Sequence, residues 1–239
     1  MRIPFCTDSS ALSEGTEAQI DDICPHTVQI SVESVVLITG TGLSSVDTVF
    51  VDGEPVPATP LSDRLLHVFV PMLQEGTHTV TLGPPTTTTT APTVTGSPTN
   101  SGQTVTLIAS DIGFPEATDT AVCFRNIVNI GLGDGLIFES RIASSFTKKA
   151  EAIERALQAN NANAAIPQYK ALLDQILRSE LHQVATSFGE AVAAILNASM
   201  REILLDVGRR GTKTIKDVVF SCNRLRLAVR RGRLQDQDF

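Results

Sequence analysis

Four histidines, four cysteines and a scatter of carboxylates are the side chains in these 239 residues suited to metal binding or acid–base work. His26, His67, His78 and His182 are dispersed along the chain, and only His67 and His78 fall on strand-like segments that could be neighbours. A structural metal needs three or four closely placed ligands, and no Cys or carboxylate stands at ligand spacing beside either histidine. Asp21, Asp22, Asp47, Asp52 and Asp63 lack the alternating oxygen donors of a calcium loop. Gly131-Leu132-Gly133-Asp134-Gly135 has the glycines of a phosphate loop, but apolar residues 127–130 and 136–138 flank it symmetrically, the pattern of a hairpin turn. No serine sits in a nucleophile elbow and no Cys/His pair suggests itself. The chain therefore reads as a non-enzyme, with no catalytic residue, metal or cofactor expected. The sequon Asn197-Ala198-Ser199 lies inside a helical pattern and is set aside. Cys6, Cys24, Cys123 and Cys222 form no CxxC motif. Such wide spacing predicts reduced thiols, with a Cys6–Cys24 bridge as the alternative in an oxidising compartment.

The chemistry that stands out is electrostatic. The formal charge is −7, yet residues 1–200 hold nine Lys/Arg against 21 Asp/Glu, and residues 201–239 hold ten against five. Arg209, Arg210, Lys213, Lys216, Arg224, Arg226, Arg230, Arg231 and Arg233 make a basic cluster. It is suited to electrostatic docking on an acidic neighbouring subunit or on nucleic acid; a solvated basic face is the plain alternative. No DNA-reading motif accompanies the cluster. Trp is absent and Tyr occurs once, too little to stack single-stranded bases. The expected partners are further copies of the chain and other structural proteins of the same assembly; nucleic acid is the lesser reading, and no membrane is expected.

Residues 1–24 are polar and acidic, and read as an N-terminal arm. From Val28 the texture alternates: Val28, Ile30 and Val32, then a run Val35-Val36-Leu37-Ile38, then Val49-Phe50-Val51 ending at the turn dipeptide Asp52-Gly53. Leu65-Leu66-His67-Val68-Phe69-Val70 leads to Pro71, and Thr77-His78-Thr79-Val80-Thr81-Leu82 alternates again. Several short strands with turn residues between them indicate a sandwich. Ile38-Thr39-Gly40-Thr41-Gly42-Leu43 resembles the ITGTGF signature of IPT/TIG domains. Val49-x-Val51-Asp52-Gly53, Val68-x-Val70-Pro71 and Gly76-Thr77-His78-Thr79-Val80 follow in that family's order and spacing. The resemblance covers residues 25–83, about a quarter of the chain. It implies an immunoglobulin-like module acting as a spacer, adhesion element or dimerisation surface, with no catalytic residues to carry over.

Residues 84–102, rich in Pro and Thr, read as a semi-extended linker. Residues 103–138 read as strand-rich, a degenerate second β unit. Beyond them Phe138, Ile142, Phe146, Ile153 and Leu157 share a helical face. Pro167 fits the first turn of a second helix. Leu177, Leu181, Val184, Phe188, Ala191, Ile195 and Ala198 alternate 4 and 3 apart, which predicts one long helix with an oligomerisation seam. The segment from Ile215 to Val229 fits a further helix, with an edge strand as the alternative. The expected fold is α+β and multidomain: Ig-like sandwich, linker, strand-rich segment, then a helical oligomerisation and anchoring domain over 139–239. The N-terminus carries no apolar leader core, and no segment reaches membrane-span length. An Ig-like module without a leader, joined to a helical anchor, is similar to phage structural proteins. The expectation is a virion subunit of head, neck or tail, made in the host cytoplasm, with a ligand- or glycan-binding adhesion module as the alternative.

Overall fold

Burial that alternates along the strands builds a two-layer β-sandwich, and burial at helical period builds a four-helix body against it. The computed structural model describes residues 18–83, 104–110, 114–179 and 183–210. The described residues form eight strands: β1 (Gln19–Cys24), β2 (Thr27–Gln29), β3 (Ser34–Thr41), β4 (Thr48–Val51), β5 (Glu54–Pro60), β6 (Leu65–Val70), β7 (Gly76–Thr81) and β8 (Thr104–Ser110). The first layer runs β1-β3-β6-β5 and the second β5-β4-β7-β8-β2. Strand β5 serves both, pairing with β4 through Glu54 and Val56 and with β6 through Ala58–Pro60. All pairs are antiparallel except β2 with β8. Val36, Ile38, Leu66 and Val68 of the first layer meet Val49, Val51, Val80 and Leu107 of the second in one core.

The glycine signature has a steric origin. Ile20 of β1 pairs with Gly40 of β3 next to an irregularity in the ladder, and a Cβ at position 40 would collide with the Gln19 carbonyl. Gly42, at φ 68°, turns the chain into the short 3₁₀ turn Leu43–Ser45, which plants Leu43 in the sandwich core. Asp52 and Gly53, at φ 52° and 85°, make the β4–β5 hairpin turn with both central residues left-handed, as the dipeptide predicts.

Three boundaries differ from the sequence reading. Residues 19–24, assigned there to the arm, are the first strand of the sandwich. Thr104–Ser110 is the strand that completes the second layer, with Thr81 opposite Thr104 and Gly76 opposite Ala109. The Pro/Thr tract therefore joins two neighbouring strands of one sheet rather than two domains, and 103–138 is not a second β unit. After β8 the chain is helical: α1 (Phe114–Gly133), α2 (Ser140–Gln158), α3 (Ala162–Ser179) and α4 (Thr186–Arg210). In α1, Ala117, Ala121, Phe124, Ile127 and Val128 are buried at helical period; β-branched residues between them give a strand-like texture. Its glycine run is a helix end and not a hairpin turn. Gly131 lies against the Phe188 ring, and Gly135, at φ 72°, closes the helix as the Leu136 N–H donates to the Gly131 carbonyl at 2.8 Å.

The α2 face forms as expected, with Ile142, Phe146, Ile153 and Leu157 buried, but Phe138 precedes the helix and is exposed. Helix α3 begins at Ala162, so Pro167 stands inside it rather than in its first turn. Each helix packs on the next, and α4 returns to α1. Tyr169 is fully buried among the helices and pairs its hydroxyl with Ser199 Oγ at 2.9 Å, the satisfaction that a buried hydroxyl requires.

The helices cover the outer face of the first layer. α4 packs on β3 and α1 on β1, and Leu37 and Leu65 belong to the helical core while their strand neighbours Ile38 and Leu66 belong to the sandwich core. A disulfide joins Cys24 at the end of β1 to Cys123 in α1, with Cα atoms 5.8 Å apart. This overturns both the reduced-thiol reading of these residues and the Cys6–Cys24 pairing. A native disulfide typically stabilises a fold by about 2–4 kcal/mol, with longer loops such as this one toward the upper end. Gly40→Ala, which forces a methyl group onto the β1 backbone, is expected to cost about 1–3 kcal/mol. Urea unfolding checks it; a loss below about 0.5 kcal/mol would contradict the steric reading.

Candidate functional site: the sandwich–helix junction and the open sheet face

Two polar clamps fix the sandwich on the helices. The first centres on His26, just after the bridged Cys24. Its Nδ1–H donates to Asp119 Oδ2 at 2.7 Å and its Nε2–H to Asp22 Oδ1 at 2.8 Å. With both ring nitrogens donating, the imidazolium is favoured, and the pKa is raised to about 9, chiefly by Asp119 with Asp22 adding and burial opposing. Asp119 and Cys123 stand one helical turn apart on α1, so clamp and bridge grip the same stretch of helix. The second clamp joins the β5–β6 turn to the end of α1. Arg64 donates through Nε and a terminal nitrogen to Asp134 Oδ1 at 2.8 and 2.6 Å, and Ser62 Oγ donates to Asp134 Oδ2 at 2.6 Å. Asp134 keeps only 14% of its side chain exposed, so this pair is better shielded than the His26 clamp.

His67 lies on the helix-covered side of β6. Its Nε2 is buried with no hydrogen-bond partner, and burial lowers its pKa against the opposing influence of Glu190 on α4. His78 belongs to the other layer. Its Nδ1–H donates to Asp52 Oδ2 at 2.6 Å and its Nε2–H to the Gln74 carbonyl at 2.9 Å. Asp52 chiefly raises its pKa. The Thr79 N–H and His78 hold the Asp52 carboxyl below its usual range against the effect of its burial. His67 and His78 are thus in different sheets and are not brought together. Among the described residues no group of three His, Cys, Asp or Glu is placed to hold a metal.

The seam residues divide between two helices. Leu177 is half-buried near the end of α3. Val184 precedes α4 and pairs with Ile137 as an isolated bridge, and Leu181 lies outside the described residues. Phe188, Ala191 and Ile195 are buried in the chain's own core, and Ala198 is exposed. A single helix through 177–198 is therefore a misreading: two successive helices facing one core reproduce the 4–3 spacing. Arg209 and Arg210 end α4. Lys213, Lys216, Arg224, Arg226, Arg230, Arg231 and Arg233 lie outside the described residues, as do Cys6, Cys222 and His182.

Two surfaces are left as candidates. A crevice of about 60 Å³ opens between the β2–β3 turn and α4, lined by Val32, Val35, Ile195, Ala198 and Arg201 among others; drug-sized ligands occupy several hundred Å³. The outer face of the second layer is broader. Thr77, Thr79 and Thr81 of β7 stand beside Ile108, Thr106 and Thr104 of β8, and Phe50 of β4 lies between Thr81 and Pro55. These residues are uncharged, and the main helix contacts fall on β1 and β3 instead.

Residues 18–97 match the family model of the IPT/TIG domain. That is about a third of the chain, and it confirms the immunoglobulin-like module first seen in the glycine signature. The match opens one residue before β1 and ends in the β7–β8 connection, so the structure adds β8 to the IPT/TIG module. IPT/TIG is a non-enzymatic family, and its presence indicates a module for protein interaction. No curated protein and no solved structure matches the chain. No helix among the described residues is long and apolar enough to cross a membrane.

Neither clamp has a sequence signature: His26 and Asp119 are 93 residues apart, and Arg64 and Asp134 are 70 apart. The His26 clamp yields a pH dependence. An unfolded-state pKa near 6.5 and a folded value of about 9 make its contribution complete below about pH 6.5 and lost as the pH rises through about 9. The groups are about two-fifths exposed, so salt weakens the effect. In low-salt thermal melts, the gap between the wild type and His26→Gln should be widest near about pH 6 and vanish above about pH 10. A gap of equal size at both ends would refute the clamp.

Proposed function

We propose that this chain is a non-enzymatic structural subunit that works by contact: its helical body anchors it, and its sandwich presents the second layer to other proteins. One observation carries the reading. The first layer's outer face is covered by α1 and α4 at β1 and β3, leaving Phe69 at its margin exposed, whereas the second layer's outer face is uncharged and carries exposed Thr79, Thr106 and Ile108. A rigid, uncharged sheet face of this kind suits protein contact better than substrate binding. The IPT/TIG match, a family of interaction modules, supports it. The narrower form of the proposal is a virion subunit of a phage head, neck or tail, associating with its own copies and with neighbouring structural proteins; the basic residues from Arg209 to Arg233 would dock on acidic surfaces there. A ligand- or glycan-binding adhesion module is the second reading, favoured by the Cys24–Cys123 bridge, since disulfides suit extracellular modules.

The expected outcome is self-association or stable capture of a defined partner, measured by size-exclusion chromatography with light scattering. The double change Thr79→Arg, Thr106→Arg should weaken it at least about tenfold, as charges placed in a contact centre do, while leaving the melting temperature within about 2 °C, since both sites are exposed. A strict monomer at high concentration that holds no partner would sink the proposal.

A further inference from the structure

We infer that the Cys24–Cys123 bridge is a lock closed after the sandwich has docked on the helices, and that the protein works in an oxidising compartment. The two cysteines are 99 residues apart in sequence, and the packing of β1 against α1 is what holds them side by side. The His26 clamp sets the register of that packing. Its partner Asp119 precedes Cys123 by one helical turn, and His26 follows Cys24 by two residues, so forming the ion pair brings the two cysteines together. The resulting Cα separation of 5.8 Å is in the range of native disulfides.

Closure is a two-step exchange with an oxidant that itself carries a reactive disulfide. One cysteine thiolate attacks a sulfur of the oxidant, forming a mixed disulfide and releasing one oxidant thiolate. The second cysteine thiolate then attacks the protein sulfur of that mixed disulfide, the Cys24–Cys123 bond forms, and the second oxidant thiolate leaves. Both protein thiols give up their protons, and the electron pair ends on the oxidant, now a dithiol.

Once formed, the bond is sealed. Cys24 is 2% exposed and Cys123 6%, and a reductant must reach sulfur to attack it, so reduction requires the junction to open first. A cytoplasm held reducing by glutathione works against forming such a bond, whereas extracellular and periplasmic proteins carry them routinely. A chain made in a reducing cytoplasm would close the bond only on leaving it, where a thiol oxidant acts on the folded chain.

The test uses the full wild-type chain, refolded with a glutathione redox couple, alkylated in the native state and digested without reduction. Mass spectrometry should find the Cys24 peptide joined to the Cys123 peptide. Alkyl groups on both residues, or either residue joined to Cys6 or Cys222, would overturn the inference. Reduction by millimolar glutathione, followed by quenched alkylation, should be at least about tenfold slower in native buffer than in urea; equal rates would show that the bond is not sealed by docking. The reduced chain should melt roughly 5–12 °C below the oxidised one, and coincident melts would remove its role as a lock.

Discussion

Strand β3 is buried on both sides, and much of the architecture can be traced from its two rows of side chains. Val36 and Ile38 fill the sandwich, whereas Leu37 turns outward into the helical core and Val35 packs at its edge. Such a strand must read as an apolar run rather than an alternation, which is the texture of Val35-Val36-Leu37-Ile38. Because Leu65 on the neighbouring β6 makes the same outward contact, the first layer cannot be stripped from the helices without exposing Leu37, Leu65 and the helical core they complete. The sandwich and the helices share apolar contacts and are therefore better described as one packed unit than as two domains on a tether.

The polar contacts at the junction refine this packing rather than create it. Half-exposed ion pairs contribute little each, and the His26 clamp belongs to that class. Their value is directional: they set where α1 lies along the sheet edge, and that register brings Cys123 to Cys24. The more buried Arg64–Asp134 pair does the same at the far end of α1, using the glycine-rich end of the helix as its platform.

The sandwich was legible because its determinants are local. Gly42 and the Asp52-Gly53 turn are needed for reasons within a few residues of themselves, β4 and β6 show as short apolar runs between turn residues, and β7 alternates directly in its side chains. What lay hidden depends on distant partners. Strand β8 was separated from its sheet by the Pro/Thr tract, so it resembled the start of something new. Helix α1 was disguised by Val122, Ile127, Val128 and Ile130, and its period shows only when the small residues Ala117, Ala121 and Gly131 are counted as core. The seam was a true helical pattern, but nothing in it distinguishes a partner in another chain from α1 and α3 of the same one. The bridge and both clamps join residues 70 to 99 positions apart, and no spacing rule reaches that far.

The bridge also decides how the molecule would carry mechanical load. A pull between the two ends of the chain enters β1 from one side and α1 from the other, and the covalent bond between Cys24 and Cys123 short-circuits everything between them. Residues 25–122, which include strands β2 to β8, sit inside a closed loop and bear no tension. An assembly could therefore be strained along this chain while the open face of the second layer kept its shape, and β1 ahead of Cys24 and the helices beyond Cys123 would be the parts that yield.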